Sequence, residues 1–135
     1  MPGDAVLEAP GEGAPLLEQV LDRARAGLAA ELLGLAEQAF ETTVEYMKTR
    51  VQFDRPIGSF QAIKHICADM AVRCAVARSQ LYYAACALDA GSGDAGFHVA
   101  AAQRLADTAA LDNGRANVQV HGGIGMTDEA YPHLT

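Results

Sequence analysis

A chain of 135 residues, half of them hydrophobic, is enough for one packed domain and short for two. Its net charge of −7 leaves no basic stripe, which excludes nucleic acid as a partner, and no apolar run is long enough to span a membrane. Alanine dominates the apolar set and Trp is absent, which favours closely packed helices over a sheet.

The opening stretch MPGDAVLEAPGEGA has a short apolar centre followed by breaker residues, so residues 1–15 read as an extended tail and linker. It matches neither a secretory signal nor an Arg-rich transit peptide. Residues 16–135 read as one helical domain. Pro15 suits the first position of a helix. From there to Arg50, the residues Leu17, Val20, Leu21, Ala24, Leu28, Leu32, Leu35, Phe40, Val44 and Met47 recur at intervals of mostly three or four. Gly27 and Gly34 each weaken this helix by roughly 1 kcal/mol relative to Ala, which implies tight packing there or a break near Gly27.

VQFDRPIGSF is the next connection, punctuated by Pro56 and Gly58. Ser59 is placed to cap a second helix, 60–90, with Ile63, Ile66, Met70, Cys74, Ala77, Leu81, Ala84 and Leu88 as its apolar line. Gly91 is placed to end it. Asp94 is placed to cap an alanine-rich third helix, 95–120, which Gly122 and Gly123 stop. Thr127, Asp128 and Glu129 read as the start of a fourth helix, cut off by Pro132 and the chain end. The fold class is all-α: an up-down helical bundle of three long helices and a truncated fourth, with sequential helices antiparallel.

Two stretches carry candidate chemistry. Arg50, Phe53 and Gln61 bracket the first connection. A guanidinium at a helix end, followed by an aromatic, suits a phosphate and a flat ring; it equally complements the helix dipole. QVHGGIGMTDE, from Gln119 to Glu129, does not match GxGxxG and follows no strand. A helix C-terminus is the wrong pole for a phosphate unless backbone N–H groups of the glycine turn point outward; otherwise the stretch is a glycine cap between helices. His65, His98, His121 and His133 lack metal-ligand spacing, so no metal is expected. His121 is placed for a site role and His65 reads as structural. Asp22 and Arg25 share a helix face, either as a surface ion pair or as ligand contacts. Cys67, Cys74 and Cys86 form no CxxC pair and read as reduced core residues of a cytoplasmic protein.

These motifs stand in the order of one known family. YMKTRVQFDRPIGSFQAIKHICADMAV closely resembles an acyl-CoA dehydrogenase signature: a helix ends in Arg, Phe-Gly and Pro follow, and a Gln opens the next helix. QVHGGIGMTDE resembles the family's second signature. DRARAGLAAELLGLAEQAFE is similar to the helix before the first, and PGDAVLEAPGEGA to the end of the middle β-domain. The resemblance covers essentially the whole chain. It implies the C-terminal helical domain of an enzyme with two further domains, helical and β. Such enzymes bind FAD, remove the α and β hydrogens of an acyl-CoA thioester, and assemble as dimers or tetramers.

The resemblance also implies roles. Arg50 would contact the FAD pyrophosphate, Phe53 would pack by the cofactor and Gln61 would touch it, all on a neighbouring subunit's flavin. Gln119, Val120, His121, Gly122 and Gly123 would line its adenosine side. Asp22 and Arg25 would lie near bound acyl-CoA. The sequence departs from the family where Asp54 replaces the Gly after the Phe, and where Glu8 stands at a position commonly Gly. The catalytic glutamate of most members lies downstream of the glycine stretch, beyond this sequence; the position used in the isovaleryl-type branch is Ala24 here. No residue is therefore assigned as the base. The chain is expected to be inactive alone, contributing FAD contacts and an oligomer interface. Two alternatives stand beside this: a non-catalytic subunit of a heteromeric acyl-CoA dehydrogenase, or a helical oligomerisation module without cofactor.

Overall fold

Three helices running up, down and up make up the bundle in a computed structural model, which describes residue 11 and residues 13–127: α1 (Gly13–Thr49), α2 (Gln61–Asp89) and α3 (Ala95–His121). The expected tail and most of the expected fourth helix lie outside the described residues. Among the described residues no helix is long and apolar enough to cross a membrane. The third helix packs against both α1 and α2, which touch each other less. The core is built from Ala29, Leu33 and Ala36 of α1, Cys74, Ala77, Leu81 and Ala84 of α2, and Val99, Ala102, Ala106 and Ala109 of α3. Small side chains on all three facing lines let the helix axes approach closely.

The apolar line expected on α2 is the buried one: Met70, Cys74, Ala77, Leu81 and Ala84 all face inward. On α1 the expected phase is off. Leu17, Val20, Leu21, Leu28 and Leu35 are exposed, and Ala29, Leu33, Ala36, Ala39 and Thr43 are buried instead. Leu32 and Phe40 pack partly against the core from its flank. The leucines thus form a second apolar line beside the core line. The helix does not break at Gly27. A Cβ at Gly27 or Gly34 would meet nothing within 4 Å, so neither glycine marks tight packing. Pro15 is the third residue of α1 rather than its first; first-turn N–H groups have no intrahelical partner, so proline is tolerated throughout that turn.

Polar groups cross the alanine core at two places. Asn113 of α3 is fully buried. Its Nδ2 faces the carbonyls of Ala36 (3.2 Å) on α1 and Met70 (3.3 Å) on α2, and its Oδ1 accepts from Arg73 (3.2 Å). One turn on, the buried Thr43 hydroxyl lies 2.9 Å from Asn117 Oδ1. Of the cysteines, Cys67 and Cys74 are buried, and desolvation raises both thiols above their ordinary value. Cys86 is exposed, contrary to its expected core place, because it lies off the buried line of α2. His65 is exposed as well.

The connections differ from expectation in detail. Residues 51–56 form a small hairpin, β1 (Val51–Gln52) paired antiparallel with β2 (Arg55–Pro56). Its two turn residues, Phe53 (φ 54°) and Asp54 (φ 60°), both adopt the left-handed conformation that a two-residue I′ turn requires. A 3-10 turn, Ile57–Ser59, follows and plants Ile57 in the core. That turn consumes Ser59, so Phe60 is the N-cap residue of α2 and no side chain caps it. Between α2 and α3, Gly91 (φ 62°) ends the helix as expected. Ser92 N–H donates to the Ala87 carbonyl and Gly91 N–H to that of Leu88, the Schellman pattern. Asp94 holds the N-cap position of α3 without a capping bond. Its carboxylate instead accepts from Ser92, which holds it below the usual carboxylate range, and faces His98.

Candidate functional site

The end of α1 and the end of α3 meet at one end of the bundle. Arg50 is the first residue past α1. Its N–H donates to the Tyr46 carbonyl (2.9 Å), and its own carbonyl accepts from Ile57 N–H (2.8 Å). The backbone is fixed on both sides while the side chain stays exposed, paired with no carboxylate among the described residues.

Opposite it, Gly122 caps α3 at φ 62°, and a 3-10 turn, Gly122–Met126, continues the chain. The three glycines of this turn are there for different reasons. Gly122 is required by its positive φ. A Cβ at Gly125 would sit 2.8 Å from both His121 Cβ and the Val118 carbonyl oxygen, so no larger residue fits. Gly123 has neither constraint: a Cβ there would point into open space.

Between these walls lies a cleft of about 470 Å³. It brings together Arg50, Val120, His121, Gly122 and Gly123 of the expected site residues, and adds Tyr46, Gln52, Ile57 and Ile124. The His121 ring stacks on Tyr46, with centroids 3.9 Å apart and planes 24° apart. Its Nδ1 donates to the Asn117 carbonyl at 2.8 Å. Tyr46 stands one helical turn before Arg50, so its place on the Arg50 side was readable; its pairing with His121 was not.

Asp22 lies elsewhere. It is some 27 residues of helix from Thr49, about 40 Å at 1.5 Å per residue. It lines a second cleft, of about 500 Å³, with Glu18, Arg23 and the turn from Gly91 to Gly96. Arg25 is not part of that lining; it pairs with Asp22 at 3.0 Å on the half-exposed helix surface, a contact of little stabilising value.

The profile of the acyl-CoA dehydrogenase C-terminal domain matches residues 11–134. The chain belongs to that family. It is 38% identical over 132 residues to the short-chain-specific acyl-CoA dehydrogenase of Megasphaera elsdenii, covering 98% of this chain and 34% of that protein. Among solved structures it resembles a glutaryl-coenzyme A dehydrogenase in complex with glutaryl-CoA (TM-score 0.89, 32% identity, 98% of this chain and 34% of that one). It also resembles PigA with FAD and proline (TM-score 0.78, 34% identity, 82% of this chain and 29% of that one). The chain thus spans about a third of the length of such relatives.

Within the family frame the remaining expected residues fall outside the cleft lining. Phe53 is 85% exposed at the hairpin tip, edge-on to Phe60 at 6.1 Å. Arg55 lies over the Phe60 ring at 4.0 Å. The family's usual Gly after this Phe has a physical reason here: the position takes φ 60°, which Asp54 tolerates better than most residues. Gln61 is exposed in the first turn of α2, and the Gln119 side chain points to solvent while its carbonyl accepts from Gly122 N–H.

Proposed function

We propose that this domain supplies part of the FAD site of an acyl-CoA dehydrogenase, with a partner subunit holding the rest of the cofactor. The observation that carries the reading is the cleft joining an unpaired Arg50 to side-chain-free backbone at Gly122 and Gly123. The residues fit the group. Arg50 offers a planar set of donors for a diphosphate. Gly122 and Gly123 allow close backbone approach. Tyr46 and His121 add a flat aromatic wall. Phe53 and Gln61 are assigned to the same cofactor from its outer side, and Gln119 and Val120 to its adenosine side, with Val120 in the cleft lining. When bound, FAD supplies the acceptor for a substrate hydride.

The reaction proposed for the complete enzyme is α,β-dehydrogenation of an acyl-CoA in fatty-acid metabolism, in the cytoplasm, by a homodimer or tetramer. Asp22 and Arg25 are assigned to the acyl-CoA side. Leu21 and Leu28 flank Arg25 at helical spacing and give an acyl chain an apolar wall. Among the described residues no carboxylate lines the Arg50 cleft, and position 24 is alanine. Proton abstraction is therefore assigned to residues outside this chain.

Titration of the 135-residue chain with FAD, followed by flavin fluorescence, tests the reading. Saturable binding without acyl-CoA-dependent dye reduction is the expected result. Absence of binding at millimolar FAD sinks the cofactor assignment, and robust turnover sinks the assignment of the base to other residues.

A further inference from the structure

We propose that Met47 is an oxidation-sensitive latch: its thioether seats the 57–59 turn against α1, and conversion to the sulfoxide releases that turn and loosens the Arg50 cleft. The effect on binding rests on the nucleotide reading of that cleft; the latch itself does not.

Met47 lies on α1, one turn before Arg50. Its Sδ is 2.8 Å from the Sγ of Cys67 on α2. Gly58, in the middle of the 3-10 turn, packs on the same side chain. A Cβ at Gly58 would lie 3.2 Å from both Met47 Cβ and Cε, and 3.0 Å from the Met47 carbonyl oxygen. The turn carries Ile57, whose N–H donates to the Arg50 carbonyl and whose side chain lines the cleft. One thioether thus joins α1, α2 and the turn at the base of Arg50.

Of the two sulfurs in contact, the thioether is the one a peroxide takes. A thiol reacts as its thiolate. Cys67 is buried, and desolvation pushes its thiol up, which keeps it protonated. A thioether has no proton to lose, and Met47 is only half-buried. With hydrogen peroxide as oxidant, a sulfur lone pair attacks one peroxide oxygen and the O–O bond breaks. That oxygen stays on Sδ, and the other leaves as water with both peroxide protons. Sulfur gives up two electrons, and the peroxide takes them.

The product has no room where the thioether sat. Sγ of Cys67 closes one side at contact distance, and the turn at Gly58 rests on the other. An added oxygen displaces whatever is held least. The helices are held by the alanine core and by Asn113, which binds both α1 and α2. The three-residue turn is the part that yields. Its departure breaks the Ile57–Arg50 hydrogen bond and withdraws Ile57 from the cleft wall.

Peroxide treatment of the full 135-residue chain carrying Met126→Leu tests this. Met126 is 73% exposed and would otherwise be oxidised first, whereas Met70 is fully buried. Peptide mass mapping should find one added oxygen at Met47 and none at Met70 or Cys67. The Ile57 amide should then exchange its hydrogen about tenfold faster or more. ADP should bind about three- to tenfold more weakly, measured by calorimetry. Met47→Leu fills the space without sulfur and should hold the turn before and after peroxide. Cys67→Ala empties the space beside Sδ; Met47 should still gain its oxygen, but Ile57 exchange should stay slow. Three results overturn the latch and leave the cofactor reading intact. They are an unoxidised Met47 at peroxide levels that fully convert Met126 in the unaltered chain, an oxidised Met47 with unchanged Ile57 exchange, and equal acceleration in peroxide-treated Met47→Leu. Failure of the untreated chain to bind ADP at millimolar concentration overturns the cofactor reading, and Ile57 exchange still decides the latch.

Discussion

The turn at residues 91–96 and the turn at residues 122–125 look alike in sequence, and each begins with a glycine at φ 62°. Each ends a long helix, and each borders a cleft of similar size, about 500 and 470 Å³. Their surroundings differ in charge. The first faces Glu18 and Asp22, with Arg23 among them. The second faces Arg50 and, among the described residues, no carboxylate. Glycine reverses the chain in both places, so glycine content alone does not mark a phosphate site. The side chain delivered from the neighbouring helix decides what anion, if any, each turn accepts.

The comparison breaks most sharply at the two arginines. Arg50→Ala should weaken FAD or ADP binding about 10- to 100-fold, as expected for a charge-assisted contact, while Arg23→Ala leaves it unchanged. Equal losses at both positions would mean that overall charge, not the cleft, drives binding. Thermal denaturation sharpens the contrast in the turns themselves. Gly125→Ala must push aside His121 Cβ and a backbone carbonyl, and should cost about 1–3 kcal/mol. Gly93→Ala meets open space and should stay within about 0.5 kcal/mol.

The smallest expected difference concerns the thiols nearest each end. Exposed Cys86 should react with a maleimide at once, and buried Cys67 only on unfolding. Burial raises the Cys67 and Cys74 thiols above their unfolded value. Their contribution to stability is therefore intact below the ordinary thiol pKa and is lost as pH rises through the folded one. A melting temperature that falls on the alkaline side, and falls less in a Cys67→Ala, Cys74→Ala variant, checks the sign.

The helices were legible because apolar spacing and glycine stops are local signals. Phase was legible on α2, where one line of Met70, Cys74, Ala77 and Leu81 stands out against polar neighbours. It was not legible on α1, where leucines and alanines form two adjacent apolar lines. Hydropathy favours the leucines, but the closeness of α3 selects the alanines Ala29 and Ala36. Arg50 and the stretch from Val120 to Gly123 could be singled out because each is marked by its own helix end. Helical spacing puts Tyr46 on the Arg50 side, but its stack on His121 joins segments distant in sequence, and Ile57 reaches the cleft because the hairpin folds it back onto the Arg50 carbonyl. The hairpin escaped notice because neither Phe53 nor Asp54 is the residue such a turn usually requires.

Asn113 has a consequence for how the bundle keeps its alignment. Facing lines of alanine are nearly smooth, and smooth rods slide past one another at little cost. A shift of α3 by one turn would bury comparable apolar area, yet it would strand an amide among methyl groups and leave two carbonyls and Arg73 without their partner. The amide works as an index pin. Because Arg50 and Gly122 sit on different helices, the width of the cleft between them inherits its precision from that pin, several turns away.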